Sequence, residues 1–344
     1  MSQKQWLTDA LDGNTPERTP YSLQSEILSS DDLMSDEWKA LYDQGLALCH
    51  HVATVEHIEH GVESTREKRD DGGATVHVHR KETPVGTIER VTRDGWPMQN
   101  WITQPSDYKI QQWIVENTEV VARPENYEPA EALIGDLGTC VVAGSRTPAM
   151  RINVDWAGPE MFCMDVAMEV PELFELYEAQ KVRFMEECEL IAAGPGQYVE
   201  WPEDLAVRML GPARYGEMLG SVYEAATPLL EASGKRVIVR YDGELKAVAD
   251  QIAELPLHII EAITEPPAGD MTFDECRAQW PDIVLWAQIN GELYQGPRDE
   301  LRQAVIDKRE RAGKRAFGFE ISEDLPPDWQ ETIPLVLKTL EELG

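Results

Sequence analysis

The strongest constraint on the fold is a regular alternation of apolar runs and amphipathic segments in the C-terminal third of the chain. Short runs rich in Val, Ile and Leu predict strands at residues 236–241, 257–262, 283–288 and 316–320. Between the first two runs, Leu245, Val248 and Ile252 recur at the spacing of one helix face. Similar alternation continues upstream to about residue 139. Strands alternating with helices over 344 residues predict a (β/α)8 TIM barrel.

The N-terminal part of the chain lacks this rhythm and predicts added helical and hairpin elements. Ser30 or Asp31 is a candidate N-cap for a helix that begins there. The predicted elements are a helix over 31–57, a charged loop over 61–73 and a β-hairpin formed by 75–80 and 87–92. We therefore predict an N-terminal extension over residues 1–100, packed on a barrel over residues 101–344.

The charge balance is strongly acidic, with 63 acidic and 31 basic residues and a net charge of −32. Such a surface repels phosphate backbones and anionic membranes, so we expect no nucleic-acid or membrane partner. It is also typical of proteins adapted to high salt, where screening weakens self-repulsion. The five cysteines form no CxxC pair and no secretory signal is evident, which favours reduced thiols and a cytoplasmic location.

Polar residues follow the ends of the predicted strands, where a (β/α)8 barrel carries its active site. The catalytic candidates are Asp242, Glu261, Asp270 and Asn290. The substrate-binding candidates are Arg240, Tyr241, Gln288 and Ser322. The alternative for each single residue is a structural role such as a helix cap. Because four successive strands end in polar residues, we expect a shared site.

Two chemical roles follow from these residue types. Arg240 is suited to hold a carboxylate through two parallel hydrogen bonds, or to form an ion pair at the barrel mouth. Glu261 comes at the end of an apolar run, so burial should disfavour its charged form and make it a general acid or a metal ligand. Asp242, Glu261 and Glu320 together offer oxygen ligands for a divalent metal ion. The cluster of His50, His51, His57 and His60 is interpreted as a solvated helix face rather than a metal site.

Several stretches resemble the uroporphyrinogen decarboxylase superfamily, which includes decarboxylases and corrinoid-dependent methyltransferases. The similar stretches are TPVGTIERV, WPMQNWITQPSDYKI, GPARYGEMLGSVYEAATPLLEASGKRVIVRYDG, IIEAITEPPAGDM and GFEISEDLPPDW. The resemblance covers roughly residues 80–344 and implies a (β/α)8 barrel with a deep site at the C-terminal ends of the strands. It departs from the decarboxylases, because no counterpart of their arginine-rich RQAGR segment is present.

It also departs from the methyltransferases, whose zinc site uses an HxC segment and a later cysteine. Arg240, Tyr241 and Asp242 stand where HxC would fall, and Ser322 stands near the later cysteine. The resemblance implies a methyltransferase-like enzyme acting on a small methylated substrate, with a corrinoid protein as methyl acceptor. The alternatives are a decarboxylase or lyase acting on a small carboxylic acid, and a non-catalytic binding subunit. A homodimer is a further expectation.

Overall fold

The computed structural model describes residues 1–204, 210–321 and 323–344. Its strands in chain order are β1 (Tyr21–Gln24), β2 (Leu46–Val52), β3 (Val55–Glu59), β4 (Glu63–Asp71), β5 (Ala74–Thr83), β6 (Gly86–Arg93), β7 (Trp96–Gln99), β8 (Thr118–Ala122), β9 (Gly138–Ala143), β10 (Tyr198–Trp201), β11 (Arg236–Arg240), β12 (Ile259–Ile263), β13 (Val284–Gln288) and β14 (Phe317–Ile321).

Eight of these strands form a closed parallel barrel, which confirms the predicted fold class. Around the barrel the order is β1, β2, β9, β10, β11, β12, β13 and β14, and β14 pairs with β1 to close it. Tyr21 of β1 lies opposite Leu46 of β2 on one side and Phe319 of β14 on the other. All pairings within the barrel are parallel, so the C-terminal ends of the eight strands meet at one rim.

Helices surround the barrel and close its lower end. They are α1 (Gln3–Leu11), α2 (Ser30–Leu33), α3 (Asp36–Tyr42), α4 (Pro105–Glu116), α5 (Tyr127–Ile134), α6 (Pro148–Met150), α7 (Pro159–Ala167), α8 (Pro171–Ala193), α9 (Pro212–Arg214), α10 (Ser221–Glu231), α11 (Ala249–Glu254), α12 (Phe273–Gln279), α13 (Gly291–Gln295), α14 (Arg298–Ala312) and α15 (Trp329–Leu343). Leu7, Ala10 and Leu11 of α1 are buried in one apolar cluster with inward-facing strand residues such as Ala47. Helix α1 thus covers the N-terminal ends of the strands.

The boundary predicted at residue 100 is wrong, because β1 and β2 are barrel strands within residues 1–100. The predicted helix over 31–57 is also wrong beyond Tyr42, where α3 ends and strand β2 follows. In β2, Ala47 and Cys49 pack inside the barrel, while Leu46 and Leu48 pack against the surrounding helices. A strand buried on both faces loses the alternation that identifies half-exposed strands.

The insertion between β2 and β9 carries two small antiparallel sheets. One pairs β3 with β8, and the other has the order β4, β5, β6, β7. The predicted hairpin is confirmed as β5 and β6, with Thr83 opposite Gly86. The predicted loop over 61–73 is wrong, because most of it forms β4. Every side chain of β4 is exposed, so neither face of this strand required apolar residues.

Two segments near the rim adopt π-helical geometry, Arg151–Ala157 and Tyr215–Gly220. The first follows α6, and the second lies between α9 and α10. Such insertions are often found near functional sites. In the described part of the chain, no helix is both long and apolar enough to cross a membrane.

Candidate active site

Four alternate barrel strands each place one ionisable side chain in a single layer near the rim. These are His51 on β2, Glu200 on β10, Glu261 on β12 and Glu320 on β14. Alternate strands of such barrels contribute their inward side chains to shared layers, so this spacing brings the four groups together. The three glutamates are only 3–5% exposed. They line a void of about 10 Å³, with room for about one water molecule.

The contacts within this layer form a continuous chain. Nε2 of His51 forms a short ion pair with Glu200. Glu261 shares hydrogen bonds with Glu200 on one side and with Glu320 on the other. Nε2 of Gln24, on β1, donates to Oε1 of Glu261 at 2.7 Å. Among the described residues, no hydrogen-bond donor reaches Oε2 of Glu261 or Oε1 of Glu320. Ionised carboxylates can only accept hydrogen bonds, so a hydrogen bond between these two groups requires a proton on one of them.

The buried environment and the neighbouring charges shift the pKa values of these four groups in different directions. Burial and the charge of Glu200 raise the pKa of Glu261 to about 8. Burial and the neighbouring Glu261 raise the pKa of Glu320 well above its ordinary value. Burial alone would raise the pKa of Glu200 and lower that of His51. Their mutual attraction dominates, so the pKa of Glu200 is lowered and that of His51 is raised. These shifts favour an ion pair between His51 and Glu200 and the protonated form of Glu261 and Glu320.

Arg240 bridges the acidic rim above this layer. Its Nη2 donates to Oε1 of Glu323 at 2.7 Å, and its Nε lies 3.5 Å from Oδ1 of Asp204. The guanidinium is largely buried and also lies within the field of the three buried glutamates. Burial and the charge of Asp204 raise the pKa of nearby Asp242 to about 6. The guanidinium of Arg240 is thus already paired with carboxylates of this chain.

A cavity of about 360 Å³ opens beside β13 and β14 at the barrel mouth. Its lining residues are Gln288, Ile289, Gly291, Tyr294, Gln295, Glu320, Ile321, Glu323, Asp324, Leu325, Pro326 and Pro327. Three of these residues are acidic, and none of the described lining residues is basic. Glu320 borders both this mouth cavity and the buried layer. It is therefore the group through which the layer contacts a molecule in the mouth cavity.

The structure brings together some of the residues proposed from the sequence. Glu261 and Glu320 are in contact, Gln288 lines the mouth cavity, and Arg240 lies at the rim with half-buried Asp242. Their catalytic and substrate-binding roles remain predictions. The signal that singled out Glu261, a carboxylate within an apolar strand, also describes Glu320.

Other proposed residues lie away from this layer. Tyr241 is fully buried and its hydroxyl contacts that of Tyr215 at 3.0 Å, on the outer face of the barrel, so the predicted substrate contact is wrong. Oδ1 of Asp270 accepts backbone hydrogen bonds from Leu245 and Lys246, so it holds a loop. Ser322 lies outside the described residues.

Asn290 belongs to a separate buried network rather than to the carboxyl layer. Its Nδ2 donates to the carbonyl oxygen of Glu265 at 3.0 Å, and its Oδ1 accepts from Nζ of Lys308 at 2.9 Å. Lys308 also pairs with Oε2 of Glu265 at 2.6 Å, and Arg311 contacts the same carboxylate. Both polar atoms of the Asn290 side chain thus take part in contacts that join α14 to the loops after β12 and β13.

The predicted metal site does not form. Within residues 1–204, 210–321 and 323–344, no group of three or more His, Cys, Asp or Glu side chains has a geometry that could hold a metal ion. Asp242, Glu261 and Glu320 therefore do not constitute a ligand set. The donor chemistry agrees, because burial raises the pKa of Glu261 and of Glu320, whereas a metal ligand must be deprotonated.

The sequence interpretation missed His51 and Glu200. His51 was placed on a solvated helix, whereas its side chain lies inside the barrel and contacts two carboxylates. The related interpretation of His57 is also wrong, since its Nε2 lies 3.0 Å from the buried carboxylate of Glu187. Glu200 carries the same signal as Glu261, because it stands in the apolar strand YVEW.

A closed parallel barrel with an acid–base layer at its C-terminal rim defines a TIM barrel with a candidate active site. The structure is similar to that of a methyltransferase from Methanosarcina mazei, with a TM-score of 0.60 and 10% sequence identity over 100% of this chain and 99% of that one. It also resembles a B12-independent methionine synthase from Shewanella sp. W3-18-1, with a TM-score of 0.47 and 9% identity over 92% of this chain and 90% of that one.

A glycoside hydrolase family 5 enzyme from Prevotella bryantii B14 gives a TM-score of 0.36 and 14% identity over 68% of this chain and 85% of that one. No protein-family model and no curated protein matches the sequence. At these identities the similarity to the Methanosarcina enzyme shows a shared fold and nothing finer.

Proposed function

We propose that this chain is a methyltransferase-like enzyme that removes a methyl group from a small neutral or cationic compound. In this proposal, Glu320 donates a proton to the oxygen or nitrogen atom that loses the methyl group. The observation that supports it is the position of Glu320, a carboxyl group with a raised pKa that borders both the buried layer and the mouth cavity. The resemblance to the uroporphyrinogen decarboxylase superfamily and the fold shared with a methyltransferase favour this class.

The chemistry of methyl transfer explains why a buried acid is useful. When the bond between the methyl group and an oxygen breaks, the oxygen leaves as a poor, strongly basic leaving group unless it is protonated. Burial raises the pKa of Glu320, which favours the protonated form that can supply that proton. The methyl group passes to a nucleophilic acceptor as the proton passes from Glu320 to the leaving atom. Glu320 is left as a carboxylate and must be reprotonated before the next cycle.

The methyl acceptor is a second substrate. A corrinoid carried by a partner protein is the acceptor that the family resemblance implies, and we propose it here. A thiolate-bound zinc ion, which the related methyltransferases use, does not fit this chain, because Arg240, Tyr241 and Asp242 occupy the usual HxC position. Proton donation by Glu320 is the part of the reaction that the residues of this chain can perform.

The charge around the mouth argues against the decarboxylase alternative. A carboxylate substrate would enter a cavity bordered by Glu320, Glu323 and Asp324. Arg240, the residue expected to hold it, is already bound by Glu323 and Asp204. Repulsion between like charges in such a site disfavours an anionic ligand, whereas a neutral or cationic compound meets no such barrier.

The proposal can be tested with free cob(I)alamin as the acceptor and methanol, methoxylated phenols and methylated amines as donors. Formation of methylcobalamin is followed by absorbance. The substitution Glu320→Gln preserves the shape of the side chain but removes its transferable proton, so turnover should fall by about 10²–10⁴-fold. A matched control is Glu203→Gln, because Glu203 is fully buried and burial raises its pKa to about 8, yet it lies outside the layer.

Glu203→Gln should retain turnover. Equal losses in the two variants would indicate a general effect on stability. No methyl transfer by the wild-type protein from any of these donors, or full turnover by Glu320→Gln, would contradict the proposal.

A further inference from the structure

One exposed carboxylate contacts the buried layer from outside the barrel. Glu26 lies just after β1, and its side chain is 42% exposed. Its Oε1 accepts a hydrogen bond from the backbone N–H of His51 at 2.6 Å, and its Oε2 lies 3.4 Å from Nδ1 of the same residue. Glu26 also lies 3.2 Å from Nδ1 of His50, whose side chain points away from the barrel interior. Glu26 is thus in contact both with solvent and with the inward-facing histidine.

His51 joins this exposed group to the interior. Its two ring nitrogens face different carboxylates, with Nδ1 toward Glu26 and Nε2 toward Glu200. An imidazole held in this way can accept a proton at one nitrogen and release a proton from the other, and a turn of the ring resets it for the next transfer. Only 18% of the His51 side chain is exposed, whereas the side chain of Glu200 is 7% exposed. The ring therefore spans the boundary between the accessible rim and the buried layer.

From Glu200 the contacts continue to the mouth cavity. Glu200 shares a hydrogen bond with Glu261, and Glu261 shares another with Glu320. Five titratable groups, Glu26, His51, Glu200, Glu261 and Glu320, thus form an unbroken line from solvent to the mouth cavity. Arg240 is the remaining charged group near this line, and it acts on the three buried carboxyl groups from β11.

We propose that Glu26 and His51 are a proton relay that reprotonates Glu320 through Glu200 and Glu261. This inference rests on the proposed function, in which Glu320 loses one proton per turnover. Protons then move from Glu261 to Glu320, from Nε2 of the His51 imidazolium to Glu200, and from Glu200 to Glu261. His51 is left neutral, with its remaining proton on Nδ1. The ring then turns about its Cβ–Cγ bond, so that its protonated nitrogen faces Glu200 and its bare nitrogen accepts a proton from solvent through Glu26. The sum is the transfer of one proton from water to Glu320, with every other group restored.

The relay gives protons from solvent a path to Glu320 that a substrate in the mouth cavity does not block. Glu320 is only 3% exposed, and its contact with solvent is through the mouth cavity. A substrate in that cavity separates Glu320 from bulk water while it accepts the proton. Glu26 lies at the β1–β2 side of the rim, outside the set of residues that line the mouth cavity. Protons can therefore enter by this route during turnover.

The test uses the infrared band of protonated carboxyl groups and does not require turnover. The protein is saturated with one of the methyl donors in the absence of cob(I)alamin, so that the mouth cavity is filled and no transfer occurs, and it is then mixed rapidly with D2O at neutral pH. The band of Glu320, identified from its absence in Glu320→Gln, is followed as it exchanges. Exchange should slow by about 10²-fold in His51→Gln and in Glu26→Gln. His50→Gln is the matched control and should exchange at the wild-type rate, because His50 touches Glu26 but points away from the layer.

Glu203 serves as an internal standard, because it is a second buried carboxyl group with a raised pKa and lies outside the relay. Its exchange should be unaffected by the substitutions in the relay. Glu26 is exposed, so Glu26→Gln keeps the inference testable if His51→Gln does not fold. Unchanged exchange of Glu320 in Glu26→Gln and His51→Gln would overturn the relay, even if the acid role of Glu320 stands. Conversely, slow exchange in both variants, with no methyl transfer by the wild type, would refute the proposed function alone.

Discussion

Replacing Glu261 with Gln should remove a large part of the dependence of folding stability on pH. In the folded protein, burial and the charge of Glu200 raise the pKa of Glu261 from its ordinary value near 4.5 to about 8. Between these two values the unfolded chain is ionised at this position while the folded chain keeps the proton. The folded state therefore binds more protons, and its stability falls as pH rises.

The magnitude follows from this pKa difference. The contribution of Glu261 is fully present below pH 4.5 and is lost as pH rises toward about 8. Each pH unit within that window costs the folded state about 1.4 kcal/mol. From about pH 5 to about pH 8, the free energy of unfolding should thus fall by about 4 kcal/mol through this one group. Glutamine at this position can still accept the hydrogen bond from Gln24 and has no proton to lose.

The assay is denaturant unfolding of the wild-type protein and of Glu261→Gln, at constant ionic strength and at several pH values across this window. The difference between their free energies of unfolding should change by about 1.4 kcal/mol per pH unit. Glu203→Gln provides a second case, because burial also raises the pKa of Glu203 to about 8. Parallel curves for the wild type and Glu261→Gln would show that Glu261 is ionised in the folded protein and would refute the assignment of protons within the layer.

Two further predictions concern other charges. Thermal stability should rise between low and molar KCl, because salt screens the repulsion within a chain of net charge −32, and a flat or falling melting temperature would refute this. Lys308→Met should lower the free energy of unfolding by about 3–5 kcal/mol, because it leaves the buried carboxylate of Glu265 without its buried cation. A loss below about 1 kcal/mol would show that Arg311 suffices.

The fold class could be predicted because the last four strand–helix units carry clear sequence signals. The strands expected at 283–288 and 316–320 differ from β13 and β14 by a single residue at their ends. The first two barrel strands could not be recognised in the same way. Residues 46–52 are buried on both faces, so their apolar run fits a helix as well as a strand until the barrel around them is known.

A residue of the candidate site could be predicted only where the signal lies in the sequence immediately around it. Glu261 could be singled out because a carboxylate within an apolar strand is unusual, and its raised pKa follows from burial. The ion pair of Glu200 with His51 could not be foreseen, because the two residues are far apart in sequence and meet only when the barrel closes. For Asn290 the local sequence signal was misleading. It follows a strand, as a site residue would, but its hydrogen bonds are directed to Glu265 and Lys308 behind the rim.

The order of pKa values links the stability of the layer to its chemistry. Three buried carboxylates with one histidine would leave unbalanced charge in a medium that solvates charge poorly. Protonation of Glu261 and Glu320 removes that imbalance, so that Glu200 and His51 remain as a matched pair and Arg240 is balanced by Asp204 and Glu323. Burial of the layer, which opposes ionisation, thus also keeps a proton on Glu320, where the mouth cavity gives it access to a substrate. A substitution that lets water into the layer should lower the pKa of Glu320 and weaken the acid that the proposed reaction requires.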